Sequence, residues 1–381
     1  MKLQNNQLRI FILTGILLLN LHGFAQNPNF HIYLCFGQSN MEGQGTIEAQ
    51  DKTVNSRFKV MQAVTCSNLG RTKGKWYTAV PPLCRCWSGL SPADYFGRTM
   101  IENLPENISV GVVNVSVAGC KIELFDKVNY QKYTATITED WLKNIIAEYN
   151  GNPYAHLVEV AKLAQKDGVI KGILLHQGES NTGDIQWSTK VKAIYNNLIT
   201  DLALNPDSVP LLAGEVVHSD QGGLCASMNS IIANLPKTLP NSYVISSSQC
   251  TDATDNLHFN SAGYRELGKR YARKMLSIMG IVPTAVQEIK LNETDRYKLE
   301  QNYPNPFSGN TLISFRIPEN SFVSLKVYNM LGIEIAELAG KRFEPGSHTI
   351  EFDSGKLPKG KYFYRIESSN FNSTREMTAI K

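Results

Sequence analysis

From residue 31 to residue 279 the chain alternates short apolar runs with longer amphipathic stretches, and this alternation constrains its fold more than any other feature. The runs at 31–36, 110–117, 170–176, 210–217 and 242–247 are rich in Val, Ile, Leu and aromatics. Between them, residues 92–103, 154–167, 190–204 and 263–279 repeat apolar positions at helical spacing. Strands separated by helices of this length build βαβ units, whose parallel sheet is covered on both faces. The expectation is a three-layer α/β domain over residues 26–280. Ser91-Pro92-Ala93-Asp94 supplies one helix start, with a capping hydroxyl, Pro at the first helical position and an acid in the first turn.

Both ends of the chain depart from this pattern. Residues 281–298 read as a polar linker, and 299–381 as an all-β domain. Its runs at 311–317, 321–328, 334–338, 346–352 and 360–367 are spaced like a small β-sandwich. At the N-terminus, Lys2 and Arg9 precede an apolar run at 10–21 and the small-x-small pattern Gly23-Phe24-Ala25. That is the form of a secretory signal peptide, assigned to residues 1–25. The run is shorter than the roughly 20 apolar residues that span a bilayer, and no later stretch reads as a transmembrane segment.

Composition narrows the partners and the redox setting. The net charge of +4 falls to +2 without Lys2 and Arg9, and no basic block marks a nucleic-acid footprint. Seven cysteines, at 35, 66, 84, 86, 120, 225 and 250, sit in a chain read as exported, where disulfides form. Cys84-Arg85-Cys86 lacks the further Cys or His ligands of a metal site, so a disulfide is expected there and no metal. The odd count leaves at least one thiol, for which the apolar settings of Cys35 and Cys120 are suited.

The chemistry is expected where the first strand ends, at Gly37-Gln38-Ser39-Asn40-Met41-Glu42-Gly43. Open parallel sheets bind ligands beyond the carboxyl ends of their strands. A serine there needs a histidine base and an acid to orient it. Of seven histidines, His22 lies in the signal and His348 in the C-terminal domain, while His31 and His156 fall at element starts. His176, His218 and His258 remain. His258 stands in Asp255-Asn256-Leu257-His258-Phe259, just before the last helix, where Asp255 can fold back onto the ring. Glu42 is placed to act in the pocket or to cap the next segment, and Glu215 and His218 are ordinary strand-end residues. Trp87, within 81–94, is a candidate lip for stacking on a ring of the ligand.

Two resemblances add to this reading. The strings LEQNYPNPF at 299–307, VYNMLG at 327–332 and GKYFY at 360–364 resemble the C-terminal sorting domain of type IX secretion substrates. That implies the type IX machinery as a partner, export across an outer membrane to the surface or medium, and removal of the domain. The strings FGQSNMEG at Ser39, VSVAGCKIE at Gly119, LLHQGESN at Gln177 and DNLHF at His258 resemble SGNH hydrolases. The group is that of sialate O-acetylesterases and acetylxylan esterases, carbohydrate esterase family six.

The second resemblance implies a flavodoxin-like αβα fold and cleavage of acetyl esters on a carbohydrate, acetylxylan or O-acetylated sialic acid, without cofactor. It implies Ser39 as nucleophile, His258 as base and Asp255 as orienting acid. The tetrahedral intermediate needs donors aimed at its oxygen, for which the backbone N–H groups of Ser39 and Gly119 are first choices. Gln177 stands where most SGNH enzymes have Asn and is a third candidate. Glu179 either replaces Asp255 or grips a sugar hydroxyl. A glycosidase using Glu179 and Glu215 would leave the Ser39 and His258 strings unexplained. The competing class is an exported carbohydrate-binding protein on an inactive esterase fold, whose mark would be loss of Ser39 or His258.

Overall fold

Every residue of the apolar run at 31–36 is buried, because it lies in the middle of a sheet. In the computed structural model, which describes residues 26–281, 297–317, 320–353, 355, 357–368 and 371–380, this run belongs to strand β1 (Asn27–Gly37). The signal peptide read at 1–25 and most of the linker lie outside the described residues. The chain divides into two units between Ile281 and Val282.

The first unit holds a seven-stranded sheet. It is built from β1, β2 (Phe58–Met61), β3 (Trp76–Thr78), β4 (Ser109–Ser116), β5 (Gly168–His176), β6 (Leu211–Gly214) and β7 (Ser242–Ile245), in the order β3-β2-β4-β1-β5-β6-β7. All pairings are parallel except β2 with β3. The strands β4 and β5 pair on opposite sides of β1, so the strand order reverses there and opens a crevice at the carboxyl ends of all three. Gly37 is in register with Ser116 and with His176, so these ends are level. Gly37 has φ 150°, and a Cβ there would stand 2.0 Å from the His176 carbonyl oxygen, so only glycine lets β1 turn at this point.

Helices cover both faces. They are α1 (Ser39–Glu42), α2 (Pro92–Asn103), α3 (Tyr130–Thr134), α4 (Asp140–Glu148), α5 (Pro153–Ala164), α6 (Trp187–Asp201), the short α7 (Asn229–Ile232) and α8 (Leu235–Thr238), and α9 (Ser261–Ile278). Side chains alternate along β1, sending Ile32, Leu34 and Phe36 into one core with Leu157 of α5 and Ile194 of α6. Tyr33 and Cys35 enter the other core, with Phe96 of α2 and Tyr271 of α9. Ser91 and Asp94 form the expected capping box at α2.

The observed strands β6 and β7 are shorter than the apolar runs that suggested them. Beyond Gly214, the buried Val216 and Val217 already belong to the turn that leaves the sheet. Cys86 pairs with Cys66 rather than with Cys84, which is a buried thiol 3.4 Å from the Tyr149 hydroxyl. Cys35 and Cys120 are buried thiols as well.

The second unit is two packed antiparallel sheets. One has the order β11 (Glu334–Phe343), β10 (Ser321–Tyr328), β13 (Gly360–Ser368), β14 (Phe371–Ala379), and the other β12 (Gly346–Asp353), β9 (Asn310–Ile317), β8 (Lys298–Leu299). Their alternating inward residues, among them Ile313, Phe315, Val323, Leu325, Tyr364 and Met377, make a separate core. Among the described residues, no helix is long and apolar enough to cross a membrane.

Candidate active site

The crevice at the switch point is a cleft of about 330 Å³ lined by Ser39, Gly119, Trp141, Glu179, Leu257 and His258, with Gln38 and Gln44 beside them. Four segments build it, each following a strand: the β1–α1 turn, the loop after β4, the loop after β5, and the 250–260 loop between β7 and α9. Sequence positions 39, 119, 179 and 258 thereby meet in one place.

Ser39 opens α1, where its Oγ lies 2.9 Å from Nε2 of His258. The other ring nitrogen, Nδ1, lies 2.6 Å from Oδ2 of Asp255. Oδ1 of Asp255 accepts the backbone N–H groups of Leu257 and His258 at 3.0 and 2.9 Å, so the carboxylate is held by its own loop. Asn256 takes φ 54°, a left-handed position that asparagine tolerates and that closes this tight turn. Burial works against ionisation of Asp255, yet the His258 ring and the two backbone N–H groups outweigh it and hold the carboxyl down at about 2. A Ser Oγ–H donating to Nε2, with Nδ1–H donating to a fixed carboxylate, is an arrangement that raises the nucleophilicity of the hydroxyl.

Asn40, which the motif analysis passed over, ties this line together. It is fully buried. Its Nδ2 donates to Oε1 of Glu179 at 2.5 Å and to the Leu257 carbonyl at 3.1 Å. Its Oδ1 accepts from the Phe259 N–H at 3.3 Å and from the Tyr264 hydroxyl at 2.6 Å. Asn40 therefore grips both residues that flank His258, and Glu179 holds Asn40. No hydrogen bond joins Glu179 to His258, whose Nδ1 is held by Asp255. Oε2 of Glu179 is buried without a hydrogen-bond partner, as is Nδ1 of His176, 3.8 Å from Oε1. His176 gives its Nε2–H to the Glu215 carbonyl at 2.9 Å, and burial lowers its pKa, so the neutral ring has no proton to offer Glu179.

The backbone N–H groups of Ser39 and Gly119 donate to no acceptor among the described residues, although both residues line the cleft. The neighbouring Ala118 N–H is occupied, donating to Oε2 of Glu42 at 2.7 Å. Glu42 is buried, which raises its carboxyl pKa, while Arg85 at 2.9 Å and the Ala118 N–H oppose that rise. Arg85 in turn binds Glu148 at 2.5 Å. Glu42 thus braces the 118–119 loop instead of acting in the pocket. Gly119 has φ 71°, a left-handed conformation that favours glycine, and a Cβ there would meet the tip of the Trp141 ring at 2.4 Å.

Gln177, the third expected donor, is not brought to the cleft. It is fully buried, its Nε2 donates to Asn181 Oδ1 at 2.6 Å and Gln38 Oε1 at 3.1 Å, and its Oε1 accepts from Trp187 Nε1 at 2.5 Å. Its amide is spent on orienting Gln38 and the 177–181 turn. Trp87 is 82% exposed and lies outside the cleft lining, where Trp141 of the unforeseen α4 stands instead. Glu215 accepts the Ser247 N–H, and His218 caps the turn at Ser219–Gln221. Among the described residues no His, Cys, Asp and Glu cluster is placed to hold a metal.

Residues 29–277 match the family model described as carbohydrate esterase, sialic acid-specific acetylesterase. Residues 301–380 match the secretion system C-terminal sorting domain, which indicates export by type IX secretion to the cell surface or medium. Among solved structures, a protein from Arabidopsis thaliana is 21% identical with a TM-score of 0.51, the match covering 66% of this chain and 99% of that one. NanS is 17% identical with a TM-score of 0.48, covering 66% and 98%. An acetyl xylan esterase from the rumen bacterium Butyrivibrio proteoclasticus is 8% identical with a TM-score of 0.30, covering 66% and 64%. The first of these shows a shared fold. The family match spans well over half of the sequence, and the chain belongs to the carbohydrate esterase family of sialic acid-specific acetylesterases.

Proposed function

We propose that this carbohydrate esterase removes acetyl groups from glycans by a serine-dependent route. The observation that carries the reading is the continuous line Asp255–His258–Ser39 in a cleft where two backbone N–H groups stand free. Ser39 Oγ attacks the acetyl carbonyl while its proton passes to His258 Nε2. The N–H groups of Ser39 and Gly119 stabilise the oxyanion. Asp255 keeps Nδ1 protonated and supports the imidazolium. The sugar oxygen leaves with the proton from Nε2, and acetyl stays on Ser39. Water, deprotonated by the same nitrogen, then releases acetate and restores the serine.

Acetylxylan and O-acetylated sialic acid are the substrates in view. The signal sequence at 1–25 supplies the first export step, and the sorting domain the second, after which it is removed. Acetate released from both glycans is measured for the wild type and His258→Ala. Release by the wild type that His258→Ala abolishes supports the reading. No release from either glycan, or undiminished release by His258→Ala, contradicts it.

A further inference from the structure

Trp141 is the second residue of α4, whose apolar face buries Leu142, Ile145 and Ile146. The indole lies off that face and is 52% exposed. Ligand pockets are lined largely by apolar and aromatic side chains, and Trp141 is one of the residues that line this cleft. The ring tip abuts Gly119, whose N–H is free in the cleft, so the indole borders the place where the acetyl carbonyl would sit. The face of an indole is electron-rich, and the C–H bonds on one face of a pyranose ring carry partial positive charge, so the two stack.

Charge separates the sugars that would fit. The cleft carries the Glu179 carboxyl, and Asp255 stands directly behind His258. None of the residues lining it is Lys or Arg. Arg85, which reaches Glu42 behind the 118–119 loop, is engaged by Glu42 and Glu148. A sugar acid would bring its carboxylate towards like charge with no cation among the lining residues to pair it, which is costly on desolvation.

Resting on the esterase reading above, we infer that Trp141 is the platform for an uncharged acetylated pyranose, and that this cleft disfavours anionic O-acetylated sialic acid. The family description names the sialic acid. The chemistry of this chain's own cleft points to a neutral glycan.

The test compares wild type, Trp141→Ala and Trp141→Phe on three esters: ethyl acetate, which has no ring, a monoacetylated methyl xylopyranoside, and O-acetylated N-acetylneuraminic acid. Trp141→Ala should lose about tenfold more in kcat/KM on the xylopyranoside than on ethyl acetate, mostly through KM. Trp141→Phe should recover much of that loss. The wild type should favour the neutral sugar over the sialic acid. Equal losses on ethyl acetate and the xylopyranoside would make Trp141 a prop for Gly119 and overturn the platform. Faster turnover of the sialic acid would overturn the charge argument. If the wild type cleaves none of the three, the esterase reading itself fails. The platform is then read by calorimetric titration of wild type and Trp141→Ala with unacetylated methyl xylopyranoside and xylobiose. Weaker binding by Trp141→Ala supports it, and equal or absent binding refutes it.

Discussion

Replacing Asn40 by Asp changes one atom, the Nδ2 that reaches Glu179 at 2.5 Å and the Leu257 carbonyl at 3.1 Å. The two bonds accepted by Oδ1 survive. In Asn40→Asp a second carboxylate oxygen faces Glu179 at that distance, in a site where Glu179 is only 8% exposed. Two full charges there would repel by about 7 kcal/mol at an effective dielectric of 20, so the pair keeps one proton instead. A carboxyl whose pKa rises by about 2–3 units on folding corresponds to roughly 3–4 kcal/mol. Unfolded, both carboxyls titrate near their ordinary value of about 4. The folded variant binds the extra proton, so its stability relative to wild type is highest below that value. It falls as pH rises to the raised pKa and is flat beyond. Thermal unfolding of the esterase unit, followed from pH 4 to 9, should show a Tm deficit against wild type that widens by roughly 6–16 °C. A deficit that stays constant across this range would refute the direct Asn40–Glu179 contact.

Four further outcomes follow from the same geometry. Asp255→Asn should lower kcat by about 10⁴-fold while leaving KM for a small ester in place, because Nδ1 loses the partner that fixes its tautomer. Since the Asp255 carboxyl is held down at about 2, the wild-type rate should show no titration of this group above pH 4, and a step assigned to it there would contradict the assignment. Gly119→Ala should lower kcat about 100- to 1,000-fold in acetate-release assays, because its Cβ meets the Trp141 ring and turns the N–H away, and an unchanged kcat would remove Gly119 from the oxyanion site. Gln177→Ala should lower Tm by breaking a buried network while retaining oxyanion stabilisation, and a 100-fold fall in kcat at unchanged Tm would return Gln177 to that role.

The parts of this molecule that were legible in the sequence are those whose cause is local. β1 is an apolar run because it is the middle strand, α2 begins at Ser91-Pro92 because its cap is written in four residues, and Asp255 reaches His258 across a single turn. The strand β2 and the edge strand β3 were not legible, since Phe58–Met61 is four residues interrupted by a lysine and Trp76–Thr78 is three, with no periodicity to read. β14 escaped notice because Phe371–Ala379 carries mostly polar outward residues. The bracing of Ala118 by Glu42 and the grip of Asn40 on the His258 loop join residues 76 and 217 or more positions apart, and nothing in their local spacing announces them. Gln177 misled because its motif position is that of a donor, while the side chains that consume its amide, Gln38, Asn181 and Trp187, are assembled only by the fold.

The most direct test of the account is acetate release from an acetylated glycan by wild type and Ser39→Ala at matched concentration and matched Tm. The account predicts that Ser39→Ala, which keeps the fold and removes one oxygen, loses at least about 10⁴-fold in kcat. Acetate release by Ser39→Ala at a rate within tenfold of wild type would contradict it.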